Sequence, residues 1–393
     1  MSYTNLPLIL AIDTSCDDTS VAITLGRVVL TNIVSSQTDL HKPYGGVFPT
    51  VAKQAHRKNI EPAINKALKQ TGLKPNQLDA IAVTKGPGLA PALEVGLEFA
   101  QKISQAWNKP IIPINHIEAH ALSSLATANK KRYPVKIALR AKNKNERLDS
   151  KLIAQFPIAS KTNFNQQPIF PILAIVVSGG HSEFIKIKQL GDYEILGQTI
   201  DDALGEALDK VGRILGLGYP AAPVIEKIAI HGDESRFKFP LPMTTVKNFN
   251  LSYSGLKTSA HRLISQLQAE NKLNQQTILD FAASFQFACF RHLTYKLNKL
   301  LTAHHYNVNA QPFKQIWLGG GVSQNTKLKK MLRQTLHPYK LKLITPYSKK
   351  ICSDNAAMIG STASFHWPPS KQPHNLDRLP SWSITNKLHE NTV

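Results

Sequence analysis

The chain has 393 residues, 42% of them hydrophobic, which suits one large domain or two lobes of ordinary size and excludes wholesale disorder. Its formal net charge is +21 at pH 7, from 47 Lys and Arg against 26 Asp and Glu. An enzyme of small anionic metabolites has little need of so much positive charge; a polyanionic partner does, although a solvated Lys-rich surface gives the same count.

Residues 8–13 (LILAID) and 20–25 (SVAITL) read as strands joined by the polar turn TSCDDT, and 27–36 as a third strand. An amphipathic helix follows over about 48–71, then a strand at 79–84, a Gly-Pro-Gly turn, a helix at about 89–107 and a strand at 110–114. The second half repeats the pattern. Strands at 171–177, 183–188 and 192–198 precede helices at about 202–216, 254–268 and 276–303. A strand at 315–319 ends in three glycines and leads into a helix; a strand at 341–345 and a helix from about 353 follow. The openings LILAIDTS and PILAIVVS are alike, which predicts a duplicated α/β chain with a cleft between its halves. The expected division is 1–126 as a first α/β lobe, 127–170 as a basic insertion, 171–351 as a second lobe, 352–368 as a helix returning toward the cleft, and 369–393 as a tail held mainly by Trp382. The insertion carries ten Lys or Arg against two acids and reads as an exposed hairpin through VKIALRA and KLIAQFPIA, or as a loop.

Cys16, Cys289 and Cys352 lie far apart and form no CxxC pair, which argues for a reducing compartment and against a Cys-based zinc site. No apolar run reaches the length of a membrane span, and the start of the chain lacks the marks of a signal or transit peptide. A cytoplasmic protein with no membrane partner is expected.

His116 and His120 in NHIEAH share one face if the segment is helical and can then share a metal with a third ligand, for which Asp354 in CSDNAAMIG is a candidate. Two imidazoles and a carboxylate suit zinc or ferrous iron with open positions. Three glycine turns follow strands: Gly86-Pro87-Gly88, Ser178-Gly179-Gly180 and Gly319-Gly320-Gly321. Each can bring backbone N–H groups to a phosphate, or be a plain tight turn. On a helix, Asp202, Glu206 and Asp209 share a face; it is either solvated or, through Asp209, able to accept from ribose hydroxyls, as is Glu226. Asp13, Asp17 and Asp18 cluster in the first turn, where one can serve as a general base. A zinc protease is disfavoured: HExxH needs Glu directly after the first His, and here Ile117 stands there with Glu118 one residue late.

DTSCDDTS, GPGLAPALEVGL, NHIEAH, VSGGHSEF, IDDALGEALDKVGRILGLGYP, SYSGLKT, FAASFQ, GGGVSQN and CSDNAAMIG occur in the order found in the TsaD/Gcp-like family, which the chain resembles over nearly all its length except 127–170 and the tail. The resemblance implies a duplicated α/β fold like that of actin, Hsp70 and sugar kinases, two-lobed with a central cleft. It implies transfer of threonylcarbamoyl from threonylcarbamoyl-AMP to N6 of adenosine 37 in tRNAs reading ANN codons (t6A formation). By it, His116, His120 and Asp354 would bind one divalent metal, Fe2+ first and Zn2+ second. Val176, Val177, Ser178, Gly179, Gly180, Asp209, Ala222, Glu226 and Asn325 would bind the nucleotide, and Asp17, with Asp13, would assist the chemistry. A paralogous partner protein and a small ATPase of the same pathway are implied as partners. Two departures stand out: Asp13 replaces the usual Glu, and Ala221-Ala222 replaces the Gly-Gly of the family turn YPGGP, where methyl groups could crowd the adenosine. A kinase or ATPase of the same fold and a non-catalytic tRNA-binding scaffold are the alternatives.

Overall fold

The computed structural model describes residues 6–129, 168–306, 312–369 and 376–386. The expected hairpin of the insertion lies outside them. The chain forms two compact units. One contains Met1–Gln37, Val47–Pro168 and Pro346–Val393; the other contains Thr38–Gly46, with the short helix α1 (Thr38–His41), and Ile169–Thr345.

The first unit is built on a six-stranded sheet of order β5-β4-β1-β2-β3-β6, with β1 Leu8–Asp13, β2 Asp18–Leu25, β3 Val28–Ser36, β4 Ala80–Gly86, β5 Ile111–Asn115 and β6 Thr127–Ala128. β1 pairs antiparallel with β2 and parallel with β4. Every residue of LILAID is buried because helices cover both faces, which is why the run is apolar without alternation. Leu8, Leu10 and Ile12 pack with Ile60 and Ile64 of α2 (Pro49–Thr71) and Leu97 of α3 (Ala90–Trp107). Ile9 and Ala11 pack with Ala119 of α4 (His116–Leu122) and with residues 356–359 of the last helix. Each such Leu or Ile contributes about 1.5–3 kcal/mol by burial.

The second unit repeats that order without the sixth strand: β11-β10-β7-β8-β9, with β7 Ile172–Val177, β8 Ser182–Gln189, β9 Asp192–Gln198, β10 Gln315–Gly319 and β11 Leu343–Ile344. In each unit an antiparallel β-meander continues into two parallel strands, so the duplication expected from the two openings is real at the level of topology. Leu173, Ile175 and Val177 point into a core made by α5 (Leu204–Ile214), α6 (Ala222–Ala229), α7 (Ser254–Ala269), α8 (Gln275–Tyr306) and α9 (Thr326–Leu336). Helix α10 (Ala356–Ala363) belongs to the first unit.

Two local expectations need correcting. The helix expected from 202 begins at Leu204, so Asp202 precedes it instead of sharing its face. Asp202 pairs with Lys210 at 2.5 Å and with Lys257, and Glu206 also holds Lys210 at 2.8 Å, so these two acids are countered by two lysines. Helix α6 has no counterpart in the sequence reading, because prolines surround its start. Pro223 sits in its first turn, where no backbone N–H is required. No described helix is long and apolar enough to cross a membrane.

Candidate active site

Asn115 ends β5 and caps α4: its side-chain oxygen accepts from the backbone N–H of Ile117 at 2.8 Å and of Glu118 at 3.1 Å. Helix starts immediately after the strand, with His116 in its first position and His120 one turn later. Asn355 caps α10 in the same way, accepting from Met358 N–H at 3.1 Å, and Ala356 N–H donates to Ser20 Oγ at 2.8 Å. Asp354 is thereby fixed at the start of α10. His120 Nε2 lies 3.1 Å and His116 Nε2 3.5 Å from Asp354 Oδ1. The three donors gather within 4.8 Å of one another. Two donors bound to one metal at about 2.0–2.2 Å stand about 3–3.5 Å apart, so the spacing fits a shared divalent ion. The burial fits as well: His120 is 0% and His116 5% exposed, while Asp354 keeps partial access. Both Nδ1 atoms are buried without a hydrogen-bond partner among the described residues, which leaves the Nε2 edges as the groups in use.

Electrostatics bind the three together. Burial works against a charged His116, but Asp354 and Asp13 outweigh it and raise its pKa. Burial and the neighbouring His116 lower that of His120. Against the effect of burial, the two imidazoles hold the Asp354 carboxyl well below the usual carboxylate range. A partly buried carboxylate that stays ionised beside nitrogen donors is what a cation requires.

Asp13 is buried at the end of β1, where Oδ1 accepts from Thr84 Oγ at 2.8 Å and from Ser15 N–H at 3.2 Å and lies 3.8 Å from His116 Nδ1. Asp17 lies half-buried in the β1–β2 turn. That turn is held by a residue the sequence reading passed over. His56 of α2, fully buried, hydrogen-bonds the Cys16 carbonyl through Nε2 at 3.0 Å and Thr19 Oγ through Nδ1 at 2.8 Å. Its place among Ala52, Ala55 and Ile60 on the apolar side of α2 was the available signal. Burial, then Asp17, push the Cys16 thiol well up, so it is a poor nucleophile at neutral pH.

In the second unit, β7 and β10 run parallel with Val176 opposite Gly319, so the turns after them lie side by side at the strands' carboxyl ends, where open α/β sheets bind ligands. Ser178 O accepts from Gly205 N–H at the start of α5. Gly179 and Gly180 are exposed, with nothing among the described residues within 4 Å of a Cβ built on either. Gly320 is the opposite case: at φ +88, a Cβ there would stand 2.2 Å from the Val177 carbonyl oxygen. Asp209 Oδ1 accepts from Ala221 N–H and Ala222 N–H, each at 2.7 Å. Glu226 Oε1 accepts from Thr326 N–H at 3.0 Å; Asn325 caps α9 through Leu328 N–H at 3.1 Å and donates to Gln286 at 2.7 Å. The nucleotide residues expected from α5, α6 and α9 thus form one network joining those helices. The Ala221 methyl is buried against Gly212, where an added Cβ would stand 2.4 Å from it, so this methyl fills a helix seam instead of the ligand side.

The third glycine turn is closed. Gly88 N–H donates to Pro380 O at 3.1 Å, Leu379 N–H to Lys85 O at 2.9 Å, and Asn115 Nδ2 to Trp382 O at 3.1 Å. A Cβ on Gly86 would stand 1.8 Å from Leu379 O. Gly86 makes room for the chain's own C-terminal segment, and Gly88, where an added Cβ would stand 2.6 Å from Ser15 O, makes room for the β1–β2 turn; neither is kept open for a phosphate.

On β8, opposite Val176, Glu183 is 9% exposed, its Oε2 lacks a partner among the described residues, and burial pushes its pKa from 4.5 up to about 7. A raised folded-state value means stability that is fully present below pH about 4.5 and lost as pH rises through about 7, a loss of ~3 kcal/mol. Urea unfolding at pH 5 and pH 8 should show that loss in the unaltered protein and its near-absence in Glu183→Gln. Equal slopes in both would show that Glu183 is not protonated in the fold.

The sequence model of the family described as "TsaD: tRNA N6-adenosine threonylcarbamoyltransferase" matches residues 28–146 and 157–361. The chain belongs to this family. A tRNA N6-adenosine threonylcarbamoyltransferase of Thermosipho africanus is 39% identical over 90% of this chain and 92% of its own length. One from Nostoc punctiforme is 39% identical over 91% and 90%. Membership makes the chain a transferase of the t6A pathway of tRNA modification. Among solved structures, the HypF of T. kodakarensis aligns with a TM-score of 0.50 at 14% identity, over 92% of this chain and 49% of that one. A full-length HypF in its phosphate- and nucleotide-bound form also reaches 0.50, at 12% identity over 93% and 57%. These likenesses carry the fold alone, that of a duplicated α/β chain.

Proposed function

We propose that the chain transfers the threonylcarbamoyl group of threonylcarbamoyl-AMP to N6 of adenosine 37 in tRNAs reading ANN codons, and that His116, His120 and Asp354 hold one divalent metal, Fe2+ before Zn2+. The observation that carries this reading is the convergence of the two buried imidazoles on the Asp354 carboxylate. The donor is a mixed anhydride whose carbonyl is already activated, so no enzymic nucleophile is required, and the raised Cys16 thiol supplies none. What remains is to place the adenosine amine about 3–3.5 Å from the carbonyl and to stabilise the departing AMP. When bound, the metal supplies a Lewis acid for a phosphate or carbonyl oxygen. The open amides of Gly179 and Gly180, with Val176, Val177 and Ser178, take the phosphate side of the leaving group, and Asp209, Ala222, Glu226 and Asn325 frame its nucleoside. Asp17 takes the amine proton late in the step, with Asp13 behind it. The +21 charge grips the tRNA backbone. A paralogous partner, a small ATPase and a cytoplasmic location complete the proposal.

The test is purified chain with unmodified tRNA and a source of threonylcarbamoyl-AMP, followed by mass analysis of the nucleosides. Formation of t6A is expected. ATP turnover at enzymic rates without t6A would favour the ATPase reading, and tight tRNA binding without t6A the scaffold.

A further inference from the structure

Within NHIEAH, Glu118 takes no part in the transfer step. It is two residues from each histidine, roughly 200° around the helix from both, and so faces away from Asp354. It is nevertheless only 5% exposed. A carboxylate taken out of water costs several kcal/mol unless it is paired, so a Glu in this place needs a partner. It has one: both Glu118 oxygens lie within hydrogen-bond distance of His366 Nε2, at 3.0 and 3.1 Å. His366 follows α10, the helix whose opposite end carries Asp354, and its own N–H donates to Ala363 O.

Helix α4 has seven residues, too few to be stable by itself, so its position depends on what holds it. Asn115 fixes where it starts. Its roll about its own axis decides whether His116 and His120 meet Asp354, and a change of about 20° moves an imidazole edge by more than 1 Å. Glu118 and His366 grip the side opposite the cluster. We propose that this pair is a positioning device for the metal centre: His366, through Glu118, sets the roll of α4 so that both imidazoles are presented to Asp354. The proposal rests on those three residues being the ligands of one metal, and the experiment separates the two claims.

The measurement is Co2+ affinity of the metal-free protein by competition with a chromophoric chelator, read together with the d–d absorption of the bound ion and the melting temperature without metal. His366→Ala should weaken Co2+ binding about 10- to 100-fold and alter the d–d bands, an effect as large as loss of a ligand's own hydrogen-bond partner, because the roll of α4 moves both imidazoles at once. His366→Gln, which keeps a donor near the Nε2 position, should restore affinity to within about threefold. Glu118→Leu keeps the volume and removes the acceptor, which makes it the check should His366→Ala fold poorly. It should match His366→Ala, and the double variant should lose little more than either single one. A lower melting temperature with unchanged affinity and d–d bands in both single variants would overturn the positioning role. Should His120→Ala bind Co2+ as tightly as the unaltered protein, the metal assignment itself fails and the proposal falls with it.

Discussion

His120→Ala should lose at least about 1000-fold in t6A formation with saturating tRNA and donor, because a Lewis acid at the reacting oxygens supplies several kcal/mol of the barrier reduction. His120 is fully buried and its Nε2 is 3.1 Å from Asp354 Oδ1, so its loss leaves His116 and Asp354 as the remaining donors of the cluster. Removing a buried ring also leaves a cavity that costs about 2–4 kcal/mol, so the variant is compared at a temperature where circular dichroism shows it folded. Activity within tenfold of the unaltered protein in a folded variant would remove His120 from the chemistry.

Gly320→Ala should destabilise the second unit by about 3 kcal/mol or more, a fall in melting temperature of roughly 6–10 °C. The cause is double. The φ of +88 is one that an L-residue adopts only under strain, and the new methyl would stand 2.2 Å from a backbone oxygen, which cannot move aside without breaking the pairing of β7 with β10. Gly179→Ala is the contrast: nothing among the described residues stands within 4 Å of its Cβ, so the melting temperature should hold. Any phosphate that approaches this turn meets the new methyl, so KM for the adenylate donor should rise. A Gly320→Ala protein as stable as the unaltered one would mean that the β7 and β10 turns are not in close contact.

How far these features could be read beforehand follows from their range along the chain. The fully buried β1 and β7 announced themselves as unbroken apolar runs, and the antiparallel meanders as short strands around polar turns. The face shared by His116 and His120 is a local property of spacing. Asp354 could be named from the residues only as a candidate third ligand, and the resemblance joined it to the pair, since nothing in the intervening sequence brings the two ends together. Contacts of that range were otherwise invisible. Glu118 was set aside as a residue in the wrong place for a protease, and its partner lies 248 positions away. The Gly86 turn has the composition of a phosphate loop, and only the path of the C-terminal segment shows that Leu379 and Pro380 close it. Ala221 raised the converse question, and the answer lay in Gly212, on a different helix. Helix α6 escaped notice because proline punctuation outweighs an eight-residue amphipathic pattern.

Two imidazoles from α4 and one carboxylate at the head of α10 are proposed to bind a single ion, which equilibrium dialysis of the metal-free protein against Co2+ can count. About one ion per chain is expected in the unaltered protein and, at the same free Co2+, less than about a tenth of that in Asp354→Ala. A full equivalent retained by a folded Asp354→Ala, or none bound by the unaltered chain, would contradict it.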